Sequence, residues 1–406
     1  MDTPKILIYA FTLRRDVAAA LLLKAALEKR GAQVVIACGY NFKLYLKLWK
    51  PTKVLISTIS KLEMVKKYAP ESQVVLWPGE GGEPDKSSNA YMLSERGSDY
   101  DKIDMVLSWG QNDKDLFEKY FPAQTDKVII CGNPRLDLVK CNPFLTERKK
   151  KAKSIGFIGR FNSINHYDAR PTIYSLNNPD NLEPVISQAK GYVMMVNVID
   201  YLINNTDYLI NVRPHPLEAP ENYIYLQNKY GKRIHIDDSL DLAYWMANQS
   251  IICSPSSTSF LEAYLIKTPI INIENLTEGL EYRQNLQPFA ALSSTAGDCP
   301  TSFAELQALI KTPPETMIVE DIEAHLKYVH GWFLKGSACK RMAEALIPNP
   351  TQEIGFSIKY KILNILNRVS FKRQCLRNRL FSNFNYCNGY HKIPDYFSGV
   401  IKQMKT

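Results

Sequence analysis

At 406 residues the chain is longer than one hydrophobic core sustains, so two domains are expected. With 45% hydrophobic and 22% charged residues it is neither a disordered chain nor a coiled coil. The net charge of +9 is concentrated in residues 351–406, where ten Lys or Arg face two acids; the remainder is nearly neutral, which excludes a general nucleic-acid-binding surface.

Short β-branched runs alternate with stretches of helical length from the first residues onward. KILIYAF (5–11), QVVIAC (33–38), KVLIST (53–58), QVVLW (73–77), DMVLSW (104–109) and KVIIC (127–131) read as strands, with helices over 16–30 and 111–120 among the segments between them. The runs are apolar on successive residues, as strands of a parallel sheet covered on both faces must be, and they predict a Rossmann-like half over residues 1–140. A polar, Lys-rich stretch at 141–153 reads as a linker. A second series follows: SIGFIG (154–159), DYLINVR (207–213), KRIHI (232–236), SIICSP (250–255) and PIINI (269–273). Helices are expected near 183–206, 217–229, 239–248, 257–267 and within 302–346, so a second Rossmann-like half should span 154–346. Residues 347–406 form a basic amphipathic tail, with Phe356, Ile362 and Phe371 among its apolar positions.

Residues 17–27 (VAAALLLKAAL) follow a strand-like run, contain Lys24 and lack a cleavage site, so they predict a first helix rather than a signal peptide. No run reaches the ~18 apolar residues of a membrane span. The eight cysteines stand apart without CxxC spacing, which suits a reducing, cytoplasmic setting and thiols that act as small core hydrophobes.

Two strand ends carry the chemistry. NVRPHPLE (211–218) ends a strand in Arg-Pro-His-Pro before a helix, the place where ligands bind in an open α/β sheet. The prolines fix the imidazole, and Arg213 and His215 are candidate donors to a phosphate oxygen; a loop histidine satisfied by backbone is the plainer alternative. CSPSSTSFLEA (253–263) sets Ser256, Ser257, Thr258 and Ser259 beside the N–H groups of a helix start, a phosphate site or, more simply, an N-cap. Glu262, one turn inside, is a candidate partner for ribose hydroxyls.

In the first half, VVLWPGEGGEPD (74–85) lets Gly79, Gly81 and Gly82 turn the chain sharply at a strand end and present Glu80 or Glu83 as a catalytic carboxylate. A solvated turn with two surface acids is the alternative. Asp99-Tyr100-Asp101 matches a metal-holding DxD, but a pattern this short arises by chance in a chain of this length.

RPHP followed about forty residues later by the Ser-Ser-Thr turn and LEA, together with CGNPRLDL (131–138) and IGRFNSINH (158–166), resembles bacterial capsule and surface-polysaccharide glycosyltransferases. The resemblance is to the surface carbohydrate biosynthesis proteins, including Kdo and sialyl transferases, with the CDP-glycerol polymerases similar. It implies a GT-B fold, two Rossmann-like domains facing a cleft with a helical C-terminal extension. It also implies that His215 and Pro216 grip the donor phosphate, that Ser256, Ser257 and Thr258 bind the same group, and that Arg160 and Asn162 hold the donor sugar or leaving phosphate.

The implied activity is metal-independent transfer of Kdo or another CMP-activated acidic sugar to a growing surface polysaccharide. The nucleotide sugar serves as co-substrate, no cofactor is required, and the acceptor is lipid-linked or an oligosaccharide. A CDP-polyol phosphotransferase, a UDP-sugar 2-epimerase and an inactive assembly factor of the same fold are the competing readings. The basic tail is expected either to lie on an anionic cytoplasmic leaflet, making the protein peripheral, or to close back on the N-terminal domain.

Overall fold

The computed structural model describes residues 3–350 except 12, 38–40, 80–96, 143–144, 146–152, 168, 170–171, 174–175, 178–181, 238, 240, 278–291, 293–294, 314 and 316–317, together with Met404. The chain divides into two compact units. Unit 1 comprises Met1–Pro143 and the described residues from Ala324 onward, and unit 2 comprises Phe144–Glu323.

Unit 1 is a parallel sheet of β1 (Lys5–Tyr9), β2 (Gln33–Ala37), β3 (Lys53–Ile56), β4 (Gln73–Leu76), β5 (Met105–Ser108) and β6 (Val128–Ile130), in the order β2-β1-β3-β4-β5-β6. Leu7 pairs with Val35 on one side and Val54 on the other, which sets the register at the centre. Leu7, Tyr9, Val54, Ile56, Val74 and Leu76 face one core. The amphipathic helices α2 (Phe42–Trp49) and α3 (Leu62–Tyr68) bury Phe42, Tyr45, Leu46, Trp49, Leu62 and Val65 in that core. Helix α1 (Leu13–Lys29) forms over the Ala- and Leu-rich run, with Asp16 in its first turn and Lys29 in its last, the charge order that a helix dipole favours.

Residues 324–346, assigned from sequence to the second half, belong to unit 1. Helix Ala338–Leu346 lies against α1. The reason lies in CGNPRLDL: buried Asp137 accepts from Ser337 Oγ at 2.7 Å, Ala338 N at 2.9 Å and Cys339 N at 2.7 Å, capping that helix. Arg341 Nε donates to the Cys131 carbonyl at 2.7 Å, and Asn133 Nδ2 lies 3.0 Å from His330 Nδ1. Gly132 sits at φ +92, where a Cβ would stand 2.7 Å from the Arg341 guanidinium and 3.3 Å from Ala338 Cβ. Met404, in the tail, is buried with its sulfur 3.5 Å from Ser337 Oγ.

Unit 2 is a second parallel sheet, β7 (Ser154–Ile158), β8 (Leu209–Arg213), β9 (Ile234–Ile236), β10 (Ile251–Ser254) and β11 (Ile270–Asn272), ordered β11-β10-β7-β8-β9. Helix Leu182–Asn205 buries Met195, Val198, Ile199 and Leu202 against Ile155, Phe157, Ile210 and Val212. The helix expected over 257–267 is shorter, Phe260–Leu265; its hydroxyl-rich start is held as a turn, and Lys267 at φ 56 follows its end. Both units have the alternating, parallel architecture of a Rossmann-like domain. No helix among the described residues is long and apolar enough to cross a membrane.

Candidate functional site

In unit 2 the chain runs from β7 to β8 and β9 on one side of the sheet, then crosses to β10 and β11 on the other. The carboxyl ends of β7 and β10 therefore flank a topological switch point, where diverging loops leave room for a ligand. The two loops there are Gly159–Asn162 and Pro255–Ser259, and the His-Pro loop leaves β8 beside the first of them.

The three loops form one bonded assembly. Arg160 Nη1 donates to the Ser256 carbonyl and lies 3.5 Å from Glu274 Oε2. The same carboxylate oxygen accepts from Ser256 N at 2.7 Å, and Asn272 Nδ2 lies 2.9 Å from Ser256 Oγ. On the other side of Arg160, Phe161 N donates at 2.5 Å to Glu218, a carboxylate 1% exposed that also accepts from Tyr223 Oη. The RFNSINH loop is zipped to the His-Pro loop by Tyr167 N to Leu217 O at 2.9 Å and Ala219 N to Asn165 O at 2.9 Å. Gly159 has to be glycine: a Cβ there would lie 2.8 Å from both Glu218 carboxylate oxygens and 2.9 Å from His215 N.

His215 is half-buried between Pro214 and Pro216, and its Nδ1 accepts from Leu217 N at 3.2 Å. That bond places the proton of the neutral ring on Nε2, so the imidazole carries a donor on the edge away from its own loop. Ser256 is buried, and its hydroxyl, carbonyl and N–H all serve the turn. Ser257 Oγ accepts from Ser259 N at 3.2 Å, Thr258 is exposed, and Glu262 is buried inside the short helix. Asn162 is half-buried in the loop that follows Arg160.

Arg213 is placed differently from expectation. Its guanidinium pairs with Asp237, donates to Ser239 Oγ at 2.8 Å and Ser239 O at 2.7 Å, and stacks 5.6 Å from the Trp245 ring centroid. It is 5% exposed and anchors the end of β8 to the segment after β9 instead of joining the assembly around Arg160. Alternation along β8 explains this, since Val212 faces the core that holds Phe157 and Arg213 faces the opposite side.

In unit 1 the equivalent switch point lies between β1 and β3, because β2 and β3 flank β1 on opposite sides. Gly79, at the start of the glycine-rich segment after β4, reaches this place: a Cβ there would be 3.2 Å from Ser57 Cβ and 3.6 Å from the Arg15 guanidinium. Glu80 and Glu83 lie outside the described residues. Of the DxD pattern, Asp99 is paired with Lys102 at 3.3 Å and Asp101 accepts from Gln124. Among the described residues no group of three His, Cys, Asp or Glu is placed to hold a metal.

Glu218 and Glu274 were not singled out from sequence, yet they hold the loops in place. The available signal was an acid set directly after an apolar strand, as in IINIEN (270–275), where burial requires a partner.

No family model and no curated protein matches the chain. Among solved structures it is similar to the wall teichoic acid polymerase TagF, at 12% identity over 85% of this chain and 89% of that one, with a TM-score of 0.55. It is also similar to a structure from Listeria monocytogenes named for UDP-N-acetylglucosamine 2-epimerase, at 14% identity over 87% and 100% of the two chains, with a TM-score of 0.50. At these identities the likeness is one of fold. The architecture is the α/β, GT-B type with two Rossmann-like units.

Proposed function

We propose that unit 2 binds a nucleotide-activated sugar at its switch point and that the protein transfers the sugar to a growing bacterial surface polysaccharide. The carrying observation is the single assembly of the Arg160, His215 and Ser256 loops, bonded through Glu218 and Glu274 at the carboxyl ends of β7, β8 and β10. In this reading the Nε2–H of His215 meets a phosphate oxygen of the donor and stabilises the charge that develops as the nucleotide leaves. The Ser257–Thr258 turn supplies further hydroxyls, and Arg160 fixes the turn so that no reorganisation is needed when the charge appears. Glu80 is the proposed general base on the acceptor hydroxyl, the donor is proposed to be CMP-linked Kdo or another acidic sugar, and no metal is required.

TagF, named as a polymerase of wall teichoic acid, shares the fold and keeps polyol phosphate transfer as the nearest rival. The test is a donor labelled separately in its sugar and in its phosphorus, incubated with the full chain and saccharide acceptor in EDTA. Transfer of the sugar alone, with all phosphorus left on the nucleotide, is expected. Phosphorus moving with an alcohol, or epimerised UDP-sugar formed without acceptor, contradicts the reading.

A further inference from the structure

Helix α2 has two faces of different character. Phe42, Tyr45, Leu46 and Trp49 are buried, whereas Lys43, Leu44, Lys47 and Leu48 look outward, the two leucines being 41% and 52% exposed. Lys43 and Lys47, one turn apart, converge with Lys67 of α3 on a single ring: their ammonium groups lie 5.0, 4.7 and 5.7 Å from the Tyr68 centroid. The hydrogen bond from Lys43 and the charges of Lys43, Lys67 and Lys47 hold the Tyr68 phenol below its ordinary pKa. Residues 41–50 contain no acid, and the one acid in α3, Glu63, reaches out to Lys102 at 3.5 Å. The ring contacts hold the three lysines together at the surface, where their charge lies beside two uncovered leucines.

We infer that the outward face of α2, with the edge of α3, is a docking surface for an anionic lipid bilayer. The lysines match the negative surface of such a membrane, and Leu44 and Leu48 are positioned to enter the acyl boundary with α2 lying flat. A soluble phosphate would satisfy the lysines and leave the leucines in water. A second copy meeting this face about a two-fold axis would set lysine against lysine. The surface lies wholly in unit 1, and lipid contact there does not depend on the nucleotide chemistry proposed for unit 2.

Flotation of the full chain with vesicles of phosphatidylcholine alone, and with vesicles containing phosphatidylglycerol, tests this. The wild type should float with the anionic vesicles at low salt and much less at high salt or without the anionic lipid. Two double variants, Leu44→Ser with Leu48→Ser and Lys43→Glu with Lys47→Glu, should each lower binding roughly tenfold or more at an unchanged thermal midpoint. Wild-type protein that fails to float, or floats equally with neutral vesicles, overturns the inference. So do variants that float like the wild type, including any whose only change is a lower oligomeric state.

Discussion

Gly159 shows how tightly the candidate site is built at the scale of single residues. A methyl group added there meets the Glu218 carboxylate and the His215 backbone together, so the Arg160 and His-Pro loops must part to admit it. Gly159→Ala is therefore expected to cost about 1–3 kcal/mol of stability and to weaken nucleotide binding roughly tenfold. Calorimetric titration and thermal melting check this, and unchanged affinity would mean that the two loops do not act as one site. That the Pro-His-Pro segment and the hydroxyl turn stand at strand ends was legible in sequence, because proline and serine there have local reasons to be present. Glu218, Glu274 and the true partner of Arg213 were not, since each depends on which segment folds over it; Asp237 lies two dozen positions from Arg213 and meets it only once β8 and β9 pair.

Among the elements, the strands were the most legible, because a covered parallel strand must be apolar on both faces whatever follows it. The placement of 324–346 was not. CGNPRLDL carried part of the family resemblance in sequence, and in the structure it clamps a helix two hundred positions away through Asp137 and holds the segment before that helix through Asn133 and Gly132. That clamp carries a pH signature. Burial lowers His330 to about 3, with His325 and Arg135 adding to the effect, and lowers His325 to about 4. Both folded values lie below the unfolded ~6.5, so the unfolded state takes up more protons and stability falls as pH drops below that value. Asp113, raised to about 6 by burial, acts with the opposite sign between pH 6 and its unfolded value. At pH 5 the two buried histidines together cost more than Asp113 offsets, since two groups act in one direction and one in the other. Unit 1 should therefore lose about 2–3 kcal/mol of stability between pH 7 and pH 5. The variant with His325→Gln and His330→Gln should be flat or slope the other way over that range; a slope equal to wild type would show that the histidines are not the titrating groups.

For the whole molecule, two sheets ordered β2-β1-β3-β4-β5-β6 and β11-β10-β7-β8-β9 each place a switch point at their carboxyl edge, one beside Gly79 and one between Arg160 and Ser256. The duplicated α/β plan was legible from the alternation of runs along the chain, and the division of the C-terminal residues between units was not, because helices of similar amphipathicity fit either surface. Unit 2 is proposed above as a nucleotide site organised around His215. The most direct test is calorimetric titration of the full chain with CMP, CDP, UDP and GDP in EDTA, repeated with His215→Ala. Saturable binding of one nucleotide is expected, CMP on the proposed donor, weakened roughly tenfold or more in the variant at an unchanged thermal midpoint. Equal binding by wild type and His215→Ala, or no binding of any of the four, would contradict it.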